Sequence, residues 1–292
     1  MKTRLTLAVL VLLTLLITAC QPQGAPVPAD PMEAVKTIAD KQTEVKSQHM
    51  KTDMALNLKL DGLTGEQAQM AALFKNFKAN LALEGDMDTA KQDFNLSGSL
   101  DLGALTALLA QGEDKLLFDV IKSGDTMYTK VNVGDQANEW QEQTGVQVLG
   151  TDAESKDNPL SPEMVMGLLK QSSKAEKLAD EQIEGVDTYH YKVTLNPETL
   201  IDSLAGLAAT AGAEAGVDTA QLDEAKKILK DSTLDVELWA GKQDLLLRQT
   251  KVHFNMNLKD LPDTPGATAL VDFVFTNTAS KLNQPVTITA PK

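Results

Sequence analysis

The feature that most constrains this chain is a two-residue alternation of apolar and polar side chains that recurs along most of its length. Met50, Thr52, Met54, Leu56, Leu58 and Leu60 alternate with Lys51, Asp53, Asn57 and Lys59. Phe77, Ala79, Leu81 and Leu83 repeat the pattern up to Gly85, and Phe94, Leu96, Gly98, Leu100 and Leu102 repeat it after a polar turn. Successive side chains on a strand point to opposite faces, so such runs specify antiparallel sheet with one face covered and the other in water. The pattern returns at Leu234, Val236, Leu238 and Ala240, then at Leu246, Thr250, Val252, Phe254, Met256 and Leu258. Val271, Phe273 and Phe275 lie on a further strand, and residues 286–288 read as a short closing one.

Two hairpins are legible, one joining residues 116–122 to 126–133 around Ser123-Gly124-Asp125. The other joins 177–184 to 188–195 around Gly185-Val186-Asp187, with Tyr189, Tyr191, Val193 and Leu195 on one face. Roughly ten strands result, and no linker divides them, so residues 31–292 read as one domain. Helical composition is interspersed. Asp30 caps a helix, Pro31 takes its first turn, and Glu33 completes a capping box. Met32, Val35, Ile38, Ala39 and Val45 follow the helical period for about four turns. Residues 64–76, 104–111, 161–169, 196–207 and 218–230 supply further helical stretches.

The first twenty residues are of another kind. Lys2 and Arg4 precede an apolar run over residues 5–17, too short for the roughly 20 residues of a spanning helix, so residues 1–19 read as a secretory signal. The run ends in Ile17-Thr18-Ala19-Cys20, where small residues before a Cys resemble a bacterial lipobox. Cys20 is the one Cys of the chain. The expectation is a lipidated Cys20 on the outer side of the cytoplasmic membrane, in the cell envelope, since two or three acyl chains suffice for stable anchoring. The ordinary alternative is a free or buried thiol. Residues 20–30, rich in Pro and Gly, read as a tether holding the domain roughly 30 Å from the membrane at ~3.1 Å per residue.

Composition excludes several classes. A net charge of −14 argues against a nucleic-acid partner, which needs a basic face. One Cys excludes an intramolecular disulfide and a multi-Cys zinc site. His49, His190 and His253 are isolated on strands and read as solvent-facing residues in preference to metal ligands. There is no G-x-S-x-G elbow and no phosphate loop, and the carboxylates alternate with apolar residues as a wet sheet face requires. No cofactor is expected, and nothing selects a catalytic group.

What remains is the apolar face. Residues are 42% hydrophobic but only 4% aromatic, and Leu, Val and Met suit a compliant cavity for alkyl chains. The plain alternative is a solid aliphatic core. Several short segments, in order, carry a resemblance: the lipobox at Cys20, Ser47-Gln48-His49-Met50 before an alternating strand, and Gly124-Asp125-Thr126-Met127-Tyr128 with Trp140 after it. Then come Ile183-Glu184-Gly185-Val186-Asp187-Thr188-Tyr189, Val236-Glu237-Leu238-Trp239, Leu247-Arg248 and Pro285-Val286-Thr287-Ile288-Thr289-Ala290-Pro291. In these the chain resembles the LppX/LprG lipoprotein family, whose members resemble the LolA and LolB carriers in fold. It departs from them in the Ala-rich residues 205–216, the insert at 64–76 and the acidic surface.

The resemblance implies an α+β fold: a strongly curved antiparallel sheet, a half-barrel, with amphipathic helices on its concave face and a hydrophobic cavity between. It implies a carrier and not an enzyme, moving an acylated lipid or glycolipid within the envelope, anchored to the membrane through Cys20 and monomeric. Its envelope transporter partner is unspecified. Met54, Leu56, Leu58, Leu81, Leu83, Leu96, Leu100, Val236, Leu238, Phe254 and Phe273 are the expected cavity walls. The competing expectations are a structural or interaction lipoprotein without a ligand, and an envelope hydrolase or sensor with a site the motifs do not reveal.

Overall fold

Period-two segments become strands wherever the alternation is unbroken, and here they join one sheet. The structure, a computed structural model, describes residues 25–63, 75–103, 105–106, 112–133, 136–137, 139–145, 174–195, 232–261 and 264–291. The first strands are β1 (Ser47–Asp61), β2 (Asn76–Asp88), β3 (Asp93–Asp101), β4 (Leu116–Ser123) and β5 (Thr126–Val133). Short strands β6 (Gln136–Ala137), β7 (Gln141–Thr144), β8 (Lys174–Lys177) and β9 (Glu181–Ile183) follow. The set closes with β10 (Val186–Leu195), β11 (Thr233–Gly241), β12 (Leu247–Leu261) and β13 (Thr264–Ser280). Their order is β6-β5-β4-β3-β2-β1-β13-β12-β11-β10-β8, with β7 beside β5 and β9 beside β10. Every pairing is antiparallel and the path is open, so this is a sheet with two ends and not a closed barrel.

The helix at the N-terminal side is α1 (Pro31–Lys41). Asp30 caps it through one carboxylate oxygen that accepts the amides of Met32 and Glu33, both at 2.9 Å. It is shorter than the four turns expected: residues 42–44 tighten into a 3-10 turn and Val45 is extended. Gln42 closes the helix: its side-chain amide donates to the Ile38 carbonyl at 2.7 Å and to the Leu245 carbonyl, and its amide oxygen accepts the Leu247 N–H across the β11–β12 turn. Ala34, Val35 and Ile38 are fully buried against Tyr191, Val193, Leu195, Leu234, Val236 and Leu238. Burying Val35 and Ile38 contributes about 1.5–3 kcal/mol each. The solid core therefore lies at the β10–β11 end.

Two sequence expectations are corrected. The second hairpin turns on Glu184-Gly185 alone, both at positive φ (47° and 80°), so Ile183 faces Val186 and the strand begins two residues early. Such a two-residue turn matches the strand twist better than the three-residue turn the composition indicates. Residues 286–288 form no strand: Lys281 and Asn283 take positive φ and redirect the chain, which is held by bonds from Ser47 to Gln284 and from Asn283 to Ser47. The helical stretches expected at 64–76, 161–169, 196–207 and 218–230 lie outside the described residues, except that Lys75 is described and Asn76 already belongs to β2. Of 104–111 only Leu105 and Thr106 are described. The Cys20 lipobox lies outside them too.

The two rims of the sheet differ. At one rim short turns connect β2 to β3, β4 to β5, β9 to β10 and β11 to β12, and both β1 and the end of β13 lie there. At the other rim β1 leads to β2, β3 to β4 and β10 to β11 through long connections.

Candidate functional site

Register decides which side chains share a face. In antiparallel sheet, directly paired residues point the same way. Through Met54 runs one unbroken apolar row, strand by strand: Leu116, Leu100, Leu81, Met54, Phe275, Val252, Val236, Val193 and Ala175. At about 4.8 Å between strands, this row is about 38 Å long. A parallel row contains Ala79, Leu56, Phe273, Phe254, Leu234 and Leu195. A third holds Phe77, Leu58, Val271 and Met256, nearer the long-connection rim.

All eleven apolar residues singled out in the sequence fall on this one face. The structure separates them into two groups. Val236 and Leu238 are packed beneath α1 and belong to the solid core. Met54, Leu56, Leu58, Leu81, Leu83, Leu96, Leu100, Phe254 and Phe273 are only half-buried. Sequence reasoning passed over Phe77, Val252, Val271 and Phe275, which share the rows. Their alternation parity was the available signal, but parity alone does not say which strands are neighbours.

Gly98 shows how the face is filled locally. A Cβ there would lie 2.6 Å from Phe118 Cζ and 2.7 Å from Leu83 Cδ2, so both side chains lean across the glycine. The missing side chain is a depression that its neighbours partly occupy. Toward the tight-turn rim the central strands become polar: Thr52 pairs with Asn277, and its hydroxyl donates to the Asn277 amide oxygen at 2.8 Å. Beyond that pair the apolar pattern resumes toward the tight-turn rim, where Met50 pairs with Ala279 and, across Gly85, shares a row with Leu96 and Val120. The helices expected to roof the face fall outside the described residues, so an enclosed cavity is not defined by the described residues.

The opposite face is charged. His49 lies 2.8 Å from Asp86, His190 lies 2.9 Å from Glu237, and His253 lies 2.7 Å from Asp272. His190 is not the solvent-facing residue expected: it is 4% exposed, stacked on Trp239 with ring centroids 4.2 Å apart. The Trp239 indole N–H donates to Glu181 at 3.1 Å, which ties β9 across β10 to β11. Among the described residues no group of His, Cys, Asp and Glu could hold a metal ion. The His253 imidazole, helped by Asn255, holds the Asp272 carboxyl below the usual carboxylate range against the cost of burial. The bond to Asp235 pushes the Lys192 ammonium up. Burial pushes the Tyr191 phenol up. This face also carries an open depression of about 310 Å³, where Ala55, Ala82 and Val274 lie among Asp53, Asn80, Ser99, Asp101, Lys115 and Thr276. Among the described residues no helix is long and apolar enough to cross a membrane.

No protein-family model matches the chain, and no curated protein matches its sequence. Solved structures align with most of the chain at low identity. LppX of Mycobacterium tuberculosis aligns over 88% of this chain and 98% of its own, at 12% identity and a TM-score of 0.40. LprF of Mycobacterium bovis aligns over 88% and 96%, again at 12% identity and a TM-score of 0.40. A DUF1329 family protein from Desulfovibrio piger aligns over 89% and 96%, at 13% identity and a TM-score of 0.23. No residue role is carried over from any of them.

Proposed function

We propose that the chain is an envelope lipoprotein, anchored through Cys20, that binds acyl-chain lipid on its apolar sheet face and carries it as a monomer. It acts by binding and not by catalysis. The observation that supports this most is the contrast along a single face. The same apolar rows are filled to completion under α1 and left half-buried over β12, β13, β1, β2 and β3. Apolar surface left in that state has a strong tendency to acquire an apolar partner.

The energetics fit a carrier. Each buried CH₂ is worth about 0.8 kcal/mol, so a sixteen-carbon chain costs on the order of 12 kcal/mol to bring into water. Walls of Leu, Met, Val and Phe replace the bilayer without directional bonds, which keeps extraction close to neutral. Met54, Leu56, Leu58, Leu81, Leu83, Leu96, Leu100, Phe254 and Phe273 form the contact surface, and Val236 and Leu238 form its floor beneath α1.

Native mass spectrometry of protein purified from its own envelope tests the proposal. A mass adduct of an acylated lipid or glycolipid is expected, released by organic extraction. Protein that is consistently empty would refute the carrier and leave a structural lipoprotein.

A further inference from the structure

The described chain begins at one particular place on the sheet. Ala25 N–H donates to the Lys242 carbonyl at 2.6 Å, in the turn between β11 and β12, and Ala25 and Val27 pack against the core cluster. The tether expected over residues 20–30 is therefore pinned from Ala25 onward. Five residues take the chain from Cys20 to Ala25. That is a reach of at most about 18 Å when fully extended. The 15 residues of β1 alone separate the two rims by about 46 Å. A lipid on Cys20 thus keeps the tight-turn rim near the bilayer, while among the described residues nothing comparable holds the other rim.

Charge favours the same orientation. The turns at this rim (residues 45–47, 88–93, 122–126, 184–187, 241–248 and 280–284) carry Lys46, Lys91, Lys122, Lys242, Arg248 and Lys281. An equal number of carboxylates accompanies them, so the rim is neutral in a chain whose net charge is −14. Among the described residues the surplus of carboxylates lies outside these turns, and anionic headgroups repel it. The rim that the tether holds is also one that an anionic surface tolerates.

We infer that the tight-turn rim is the surface that meets the bilayer, so that the long-connection rim is held farthest from it. This rests on the reading of Cys20 as a lipid anchor.

The test uses full-length lipidated protein in phosphatidylcholine–phosphatidylglycerol vesicles that carry nitroxide on their headgroups. With Cys20 capped by lipid, an introduced Cys is the sole free thiol. A fluorophore is placed at the tight-turn rim in Asp125→Cys and Gln243→Cys, and at the distal rim in Lys59→Cys and Glu113→Cys. All four positions are exposed, so each variant should fold, and two positions per rim guard against the loss of one. Quenching several-fold stronger at the tight-turn rim is expected. Equal quenching at both rims, or stronger quenching at the distal rim, would overturn the orientation while the anchor stands. An unmodified Cys20 by mass spectrometry, with protein that does not float with the vesicles, would instead remove the anchor and the orientation with it.

Discussion

Leu83 and Leu238 share a residue type and a sheet face, yet their surroundings are opposite. Leu83 is half-buried and leans over Gly98 beside Phe118, whereas Leu238 is 1% exposed beneath α1. Leu83→Trp should fill space that the fold leaves unoccupied, lowering lipid occupancy in native mass spectra with little change in Tm. Leu238→Trp should instead overpack the core, costing about 1–3 kcal/mol in a urea melt. A folded Leu83→Trp protein with unchanged lipid occupancy would count against the binding face. On the other side of the sheet, Asp272 offers a pH test. Its folded-state carboxyl is held below the usual range by His253, so its contribution to stability is present above the ordinary carboxylate pKa. That contribution is lost as pH falls through the depressed folded value. Urea melts of Asp272→Asn should therefore lose stability less steeply than the parent between about pH 5 and pH 3. Parallel curves would show that the pair contributes nothing.

At the scale of elements, α1 is what turns part of the apolar face into solid core. Its Asp30 cap satisfies two amides that no helix carbonyl can reach, and Asp30→Ala should cost about 0.5–2 kcal/mol by urea denaturation. Ile38→Ala, which empties a fully buried position, should cost about 2–5 kcal/mol. If Ile38→Ala melted like the parent, the packing of α1 on β10 and β11 would be wrong. The cap, the helix and the long strands were legible because each follows from neighbouring residues: Asp30-Pro31 starts a helix, and period two makes a strand. Register was not legible, since whether Met54 meets Phe275 depends on which strand lies beside it. The same limit explains His190. Nothing near it in sequence announces that Trp239 and Glu237 will cover it from β11. The end of α1 was misread for a related reason, because Gln42 joins the Ile38 carbonyl to backbone groups some 200 residues later in the chain.

For the whole molecule, one continuous sheet carries a solid end and a half-buried middle, and if the middle is the proposed binding surface the two should respond differently to cargo. Anything that binds the folded state stabilises it by mass action, but local opening feels the ligand only where contacts form. In the loaded protein, acyl chains over Met54, Leu56, Leu81 and Phe273 hinder the openings of β1, β2 and β13 that amide exchange requires. Delipidation removes that hindrance there. The β10 and β11 amides lie under α1 and remain covered by Val35 and Ile38 in either state. Hydrogen exchange on matched loaded and delipidated samples should then show faster exchange after delipidation in β1, β2, β3 and β13, with β10 and β11 nearly unchanged. The gradient is specific to this arrangement. A solid core throughout would show no change on extraction, and a ligand seated under α1 would move β10 and β11 first. Either pattern would shift the binding surface away from the half-buried rows, so the distribution of protection across the sheet, and not its mean, carries the test.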